Sequence, residues 1–244
     1  MPSQIQAERP VAERMVTAAS LRRVPLLRDL PDDVLAPLAT GARRQVLGHG
    51  DLLWRPDEAI EAVVVLATGV ARLYRLRDDG EEVTVALLDA GQVCGLADLS
   101  AAFVPTTVAQ ALCDETIVYR LPRREVARVL RAHPDLALRA LAAAHERIRD
   151  GYDLRTLPDA RARVAYVLAH LAAANRERTV WATQEELASW AGCRREALSA
   201  EVLPDLRERG LIAYGRRRRG IHVLDRAGLL ALGPSPIAHV RRRT

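Results

Sequence analysis

The spacing of apolar residues divides the chain into two halves. From about Gly48 to Leu121, short apolar runs alternate with glycines: Ala62 to Leu66, Gly69, Val70 to Leu76, Gly80, Val83 to Leu88 and Gly91. Runs of that length, cut by residues that allow tight reversals, predict the short strands of an antiparallel barrel or sandwich. Asp78-Asp79-Gly80 lies between two runs and predicts a hairpin whose Gly takes a positive φ. Beyond Leu121 the period lengthens to that of helices. Arg123 to Arg131 runs without a breaker to His133-Pro134, and Pro122 suits the first helical position. A second helix starts at Pro134. Along it Leu138, Leu141, His145, Ile148 and Tyr152 recur at steps of three and four, a seam that lets one helix pack lengthwise on another. We read this seam as a dimer interface. The other use of such a seam is to lay the helix on its own domain, and Gly151 interrupts it at a cost of about 1 kcal/mol relative to Ala.

Leu157-Pro158 ends the long helix and marks a domain boundary. Ala162 to Ala174 then carries Val164, Val167, Leu168 and Leu171 on one face, the pattern of a core helix in a second domain. The expected division is an N-terminal arm (1–20), a sensor domain (21–133), a dimerisation helix (134–157), a DNA-binding domain (158–232) and a basic tail (233–244).

Charge sharpens this division. Residues 158–244 hold 16 Arg against 9 acidic residues, net +7, whereas the preceding 157 residues hold 20 against 22, net −2. Only the C-terminal third is built for a polyanion. All Lys and Arg positions are Arg, whose planar fork suits phosphate and guanine, but a high-GC codon bias explains the same usage more simply.

The strongest local signal runs from Thr183 to Ile212. Thr183 with Glu186 three residues on forms a capping box, so a helix begins at Gln184. Leu187 and Trp190 lie on its inner face, and Ala191-Gly192-Cys193 allows the tight reversal of a helix-turn-helix. The second helix opens with Arg194-Arg195-Glu196, with Ser199 one turn on. Side chains at that position reach base edges in the major groove, where Arg pairs with guanine and Glu accepts from cytosine. Pro204 follows inside the same helix, where a proline costs about 3 kcal/mol unless the helix yields, so a kink or break is expected near Val202 to Pro204. Leu211 to Tyr214 and Gly220 to Leu224 read as two strands around a basic hairpin, a wing whose Arg216, Arg217, Arg218 and Arg219 would lie along phosphates. Thr183, Gln184, Arg194, Arg195, Glu196, Ser199 and these four arginines are the candidate DNA contacts.

Other classes find little support. There is no P-loop, nucleophile elbow, His-Glu-x-x-His or framed carboxylate pair, so an enzyme is not expected. Met1 to Ser20 lacks the apolar run of a signal peptide and nowhere do 18 apolar residues run together, which points to a soluble cytoplasmic protein away from membranes. Cys94, Cys113 and Cys193 are too scattered for a metal site and read as reduced, buried small hydrophobes.

At these residues the chain resembles the cyclic-AMP receptor protein and fumarate-nitrate reduction regulator (CRP/FNR) family, over roughly Val24 to Leu232. Gly69, Gly80, Gly91 and Gly95 fit the glycine spacing of the family's cyclic-nucleotide-binding jelly roll. Asp159 to Ala165 looks like the start of its DNA-binding domain, and Gly192-Cys193-Arg194-Arg195-Glu196 matches its recognition-helix opening. The resemblance implies an α+β chain: a β jelly roll, a long dimerisation helix and a C-terminal winged helix-turn-helix. It further implies a homodimeric transcription regulator on palindromic double-stranded DNA, with recognition helices about 34 Å apart and RNA polymerase as a further partner. Arg195 and Glu196 inherit the base-reading roles. The family's next reader, an Arg, falls on Ala200 or Glu201, depending on where a one-residue insertion is placed.

In the family's ligand pocket the counterparts are Gly95 and Leu96, then Thr106 and Thr107 after Pro105, and Tyr152 on the long helix. Members that bind cyclic AMP have Glu after that Gly and an Arg for the phosphate. A buried phosphate without a cationic partner is costly, so cyclic AMP, the one candidate cofactor, is not expected to bind in the ordinary way. Iron-sulfur motifs are absent. Oxidation of Cys113 or Cys94 is an alternative signal if the thiol is exposed and its pKa lowered, and His49, His133 and His145 are conceivable haem ligands. The alternative function is a cyclic-nucleotide-binding-like or thiol-sensing protein that acts through protein partners.

Overall fold

The computed structural model describes residues 15–96, 99, 104–157, 159–174, 178–214 and 220–233. Among the described residues eight strands form this half, β1 lying just before the expected Gly48–Leu121 region: β1 (Arg43–Leu47), β2 (Leu52–Trp54), β3 (Ala62–Thr68), β4 (Val70–Leu76), β5 (Glu82–Asp89), β6 (Val93–Cys94), β7 (Val108–Ala111) and β8 (Thr116–Pro122). They form two antiparallel four-stranded sheets, ordered β1-β8-β3-β6 and β2-β7-β4-β5, the double-sheet arrangement of a jelly roll. Gly69 shows why the β3–β4 corner requires glycine. Its φ is 88°, and a Cβ there would meet Thr116 Oγ1 at 2.6 Å. Gly80, in the turn of the β4–β5 hairpin, takes φ 84° as expected.

The space between the sheets is apolar, filled by Leu47, Leu53, Trp54, Ile60, Leu66, Leu88 and Val118. The outer face of the β3–β8 sheet is covered by short N-terminal helices that the apolar pattern did not announce. These are α1 (Ala18–Leu21), a 3-10 turn (Pro25–Leu27) and α2 (Asp32–Thr40). Thr17 caps α1, accepting from the Ser20 backbone N–H at 3.2 Å, and Asp32 and Asp33 suit the positive end of α2. Leu21, Leu35 and Leu38 pack there on Val63, Val65 and Leu121.

The helix α3 (Arg123–Ala132) follows directly, with Pro122 as its cap and the last residue of β8, one position earlier than expected. The long helix α4 (Pro134–Thr156) has two unlike faces. Leu136 and Ala140 are buried, while Leu138, Leu141 and Ile148 are 65%, 68% and 55% exposed.

The C-terminal unit comprises α5 (Ala160–Ala173), β9 (Thr179–Val180), α6 (Gln184–Ala191), α7 (Arg195–Ala197), a π-helical turn (Leu198–Val202), α8 (Leu203–Glu208), β10 (Ile212–Tyr214), β11 (Ile221–Val223) and α9 (Arg226–Leu230). Its sheet is ordered β10-β11-β9, adding a third strand, β9, to the two expected in the wing. Val164, Leu168, Leu187, Trp190, Leu198, Leu206 and Ile212 form its core. That core also takes in Val70, Leu87 and Leu112 from the jelly roll, so the two units share one apolar contact.

Candidate nucleic-acid interface

The frame is set by α5, capped by Asp159, whose carboxylate accepts from the Ala162 N–H at 2.7 Å. Against it lies α6, whose start is the predicted capping box. The Glu186 N–H donates to Thr183 Oγ1 at 3.1 Å and the Thr183 N–H to Glu186 Oε2 at 2.7 Å. Leu187, Ala188, Trp190 and Ala191 are buried, which fixes α6 on the core. Gly192 then closes the helix in the left-handed conformation at φ 60°, and its N–H and that of Cys193 return to α6 carbonyls.

The second helix is buried on one side through Leu198, Val202, Leu203 and Leu206. Its other side presents Arg194, Arg195, Glu196, Ser199, Ala200 and Glu201 to solvent, beside the exposed Thr183 and Gln184 at the start of α6. The structure therefore gathers six of the candidate contacts on one open surface. The Ser199 hydroxyl donates to the Glu196 carbonyl at 3.2 Å, so what it offers outward is its lone pairs.

Pro204 does not break the chain. The π turn at Leu198–Val202 takes up an extra residue, and α8 restarts at Leu203 with Pro204 in its first turn, where a missing N–H costs little. In an unbroken α-helix Leu203 would lie about 140° around the axis from Leu198. The wider turn brings both onto the buried side. The inserted residue thus falls between Leu198 and Val202, after the Arg195-Glu196 pair and beside Ala200 and Glu201.

The wing strands pair Ile212 with Val223 and Tyr214 with Ile221. Gly220 is required where β11 begins, since a Cβ would meet Thr179 Cγ2 at 2.7 Å. Arg216, Arg217, Arg218 and Arg219 lie outside the described residues, as do the arm before Met15 and the tail beyond Gly233.

Gly95, Leu96, Thr106 and Thr107 lie in the sensor half. Gly95 has φ 83°, but Leu96 packs with the helical layer outside the β3–β8 sheet. Thr106 is exposed and its hydroxyl accepts from Arg75 Nη2 at 2.8 Å; Thr107 is half-buried beside it. Arg75, on β4, is a guanidinium near the counterpart position that the sequence left without one. It was missed because strand pairing, and not sequence spacing, brings β4 to β7. Trp54, buried between the sheets, occupies interior space there. The Tyr152 side chain lies outside the described residues.

Burial first of all pushes the Cys113 thiol above its ordinary pKa, opposite to what a reactive thiol needs. Cys94 is buried, as expected, whereas Cys113 and Cys193 are half-buried, because each lies at the edge of the C-terminal core. Among the described residues no group of three or more His, Cys, Asp or Glu is placed to hold a metal ion. His49 stands 3.4 Å from Glu186 and edge-on to Trp190, His133 is half-buried, and His145 is exposed on α4.

Polar contacts join the two units. His170 Nδ1 on α5 lies 2.6 Å from Asp89 Oδ2 on β5. Arg72, buried on β4, pairs with Glu82 and donates to the Ser189 hydroxyl on α6 at 3.3 Å. Nothing in the alternation of β4 marks Arg72 as buried; the covering helix comes from more than a hundred residues away.

Comparison with known proteins agrees with this architecture. Residues 44–133 match the cyclic nucleotide-binding domain family, and residues 162–232 match the Crp-like helix-turn-helix domain family. The chain is 28% identical over 194 residues to the cyclic AMP receptor protein of Thermus thermophilus, covering 78% of this chain and 89% of that one. It is 26% identical over 200 residues to the transcriptional activator protein Anr of Pseudomonas protegens, covering 78% and 80%. Among solved structures, FixK2 from Bradyrhizobium japonicum superposes with a TM-score of 0.63 at 22% identity, covering 80% of this chain and 99% of that one. A transcriptional regulator of the CRP family from Thermus thermophilus gives 0.61 at 24%, covering 78% and 97%. With both domains matched in order, and with the exposed Arg195-Glu196 pair on a buried helix-turn-helix frame, the chain belongs to the CRP/FNR family of helix-turn-helix transcription regulators.

Proposed function

We propose that two copies pair along the seam of α4, through Leu138, Leu141, His145, Ile148 and Tyr152, and place two recognition helices in successive major grooves of a palindromic operator. The observation that carries this reading is the open row Arg194, Arg195, Glu196 and Ser199 on a helix whose other side is locked into the core. Arg195 pairs with guanine and Glu196 accepts from cytosine. Thr183, Gln184 and the four wing arginines hold phosphates and supply salt-sensitive affinity without reading sequence. The exposed apolar seam supports pairing, since about two heptads of Leu and Ile facing water are unfavourable in a lone chain.

The regulator acts in the cytoplasm with RNA polymerase as partner and carries no catalytic activity. Among the described residues no helix is long and apolar enough to cross a membrane. A signal reaching the jelly roll alters the pairing of the α4 helices and thereby the separation of the recognition helices, which requires that it bind the two arrangements unequally. The apolar interior holding Trp54, and Leu96 in the Glu position, weigh against ordinary cyclic-AMP binding. Hydroxyl-radical footprinting on genomic fragments tests the reading: two protected half-sites one helical turn apart are expected, and a single protected site or uniform protection overturns it.

A further inference from the structure

We propose that Arg163 is a positioning residue for DNA recognition, one guanidinium that ties the end of the long helix to the turn that opens the recognition helix. Its Nε donates to the Ala191 carbonyl at 2.8 Å, Nη2 to the Gly192 carbonyl at 3.2 Å, and Nη1 to the Leu157 carbonyl at 3.2 Å. The first two acceptors are the last residue of α6 and its left-handed cap; the third is the residue after α4. The last carbonyls of a helix have no partner within it and carry the negative end of its dipole. Two helix ends therefore converge on a single cation.

The anchor is stiff at its base, because Ala162 and Val164 on either side are buried in the core of α5. A planar fork can serve three carbonyls lying in different directions; a Lys ammonium on a flexible stem would hold one or two. Fixing the Gly192 carbonyl fixes the peptide plane leading into Cys193, and two residues later the backbone enters α7 at Arg194 and Arg195. A movement of α4 at Leu157 is thus carried to Arg195 through one side chain rather than through the bulk of the domain. Charge placement alone does not explain this position, since Arg163 faces backbone carbonyls and not a carboxylate.

This inference rests on Arg195 reading a base, and a double-mutant cycle keeps the two claims apart. Affinity is measured by fluorescence anisotropy at fixed salt, for the full chain, on a selected operator and on an unrelated duplex. The variants are Arg163→Ala, Arg163→Lys, Arg195→Ala and the two doubles. Arg163→Lys keeps the charge, and it carries the cycle if Arg163→Ala does not fold by circular dichroism. The expected result is that Arg163→Ala weakens operator binding about tenfold, a loss in the range of charged hydrogen bonds, with Arg163→Lys between it and the wild type. Affinity for the unrelated duplex should change less than about twofold for Arg163→Lys. In the Arg195→Ala background, either change at position 163 should cost little more. Equal losses on both duplexes, or simple additivity with Arg195→Ala, overturns the proposal. An Arg195→Ala variant with undiminished operator binding overturns the DNA-reading role beneath it.

Discussion

Cys113 sits where the jelly roll meets the C-terminal core, and burial outweighs a backbone hydrogen bond from Val70 to hold its thiol above the ordinary range, with smaller contributions in the same direction from the charges of Asp114 and Asp89. Because the thiolate is the reactive form, alkylation by iodoacetamide at pH 8 is expected to be slower at Cys113 than for free cysteine, and equal to it once the chain is unfolded in urea. A folded-state rate matching the free thiol would restore thiol sensing as the signal. Asp205 shows the opposite balance: partial burial pushes its pKa up, but hydrogen bonds from Arg209 at 2.8 Å and Arg161 at 3.3 Å outweigh it and hold the carboxyl below its usual value. A carboxylate depressed in the folded state stabilises above its unfolded pKa, about 3.9, and that contribution is lost as pH falls through the folded value. Asp205→Asn should therefore lower Tm by about 1–2 °C at pH 7, an exposed-pair effect. The gap should shrink as pH falls below the unfolded value and close once it has passed the folded one. A gap that widens in acid would contradict the assignment.

At the scale of elements, α4 carries the dimer reading. With Leu136 and Ala140 turned inward and Leu138, Leu141 and Ile148 turned outward, Leu138→Glu with Leu141→Glu puts charge into the seam without touching the core. Sedimentation should show a monomer with an unchanged far-ultraviolet spectrum; a persistent dimer would place the interface elsewhere. The seam was legible because a period near 3.5 survives in the sequence whatever the partner is. So were the Thr183–Glu186 cap and the Gly80 hairpin, whose chemistry is local. The N-terminal helices were not legible, since they are short and are held by Val63, Val65 and Leu121 of distant strands. Pro204 signalled a disturbance correctly but not its form. A proline needs a place where no backbone donor is required and its ring does not meet the carbonyl of the preceding turn, and a π turn followed by a fresh helix start allows both while keeping Leu198 and Leu203 on one side.

For the whole molecule, the two units meet through Val70, Leu87 and Leu112 and through the Asp89–His170 and Arg72–Ser189 hydrogen bonds, none of which local pattern could reveal. Such a contact gives the jelly roll a direct hold on α5 and α6, in addition to the covalent link through α4. The central claim remains that the open face of the second helix reads sequence. In vitro selection of genomic fragments at fixed, near-physiological salt, comparing the wild type with Arg195→Ala, tests it most directly. A palindrome enriched by the wild type and lost with Arg195→Ala is the predicted result; salt-sensitive binding that enriches no sequence, the same for both proteins, would contradict it and leave the arginines as a general polyanion surface.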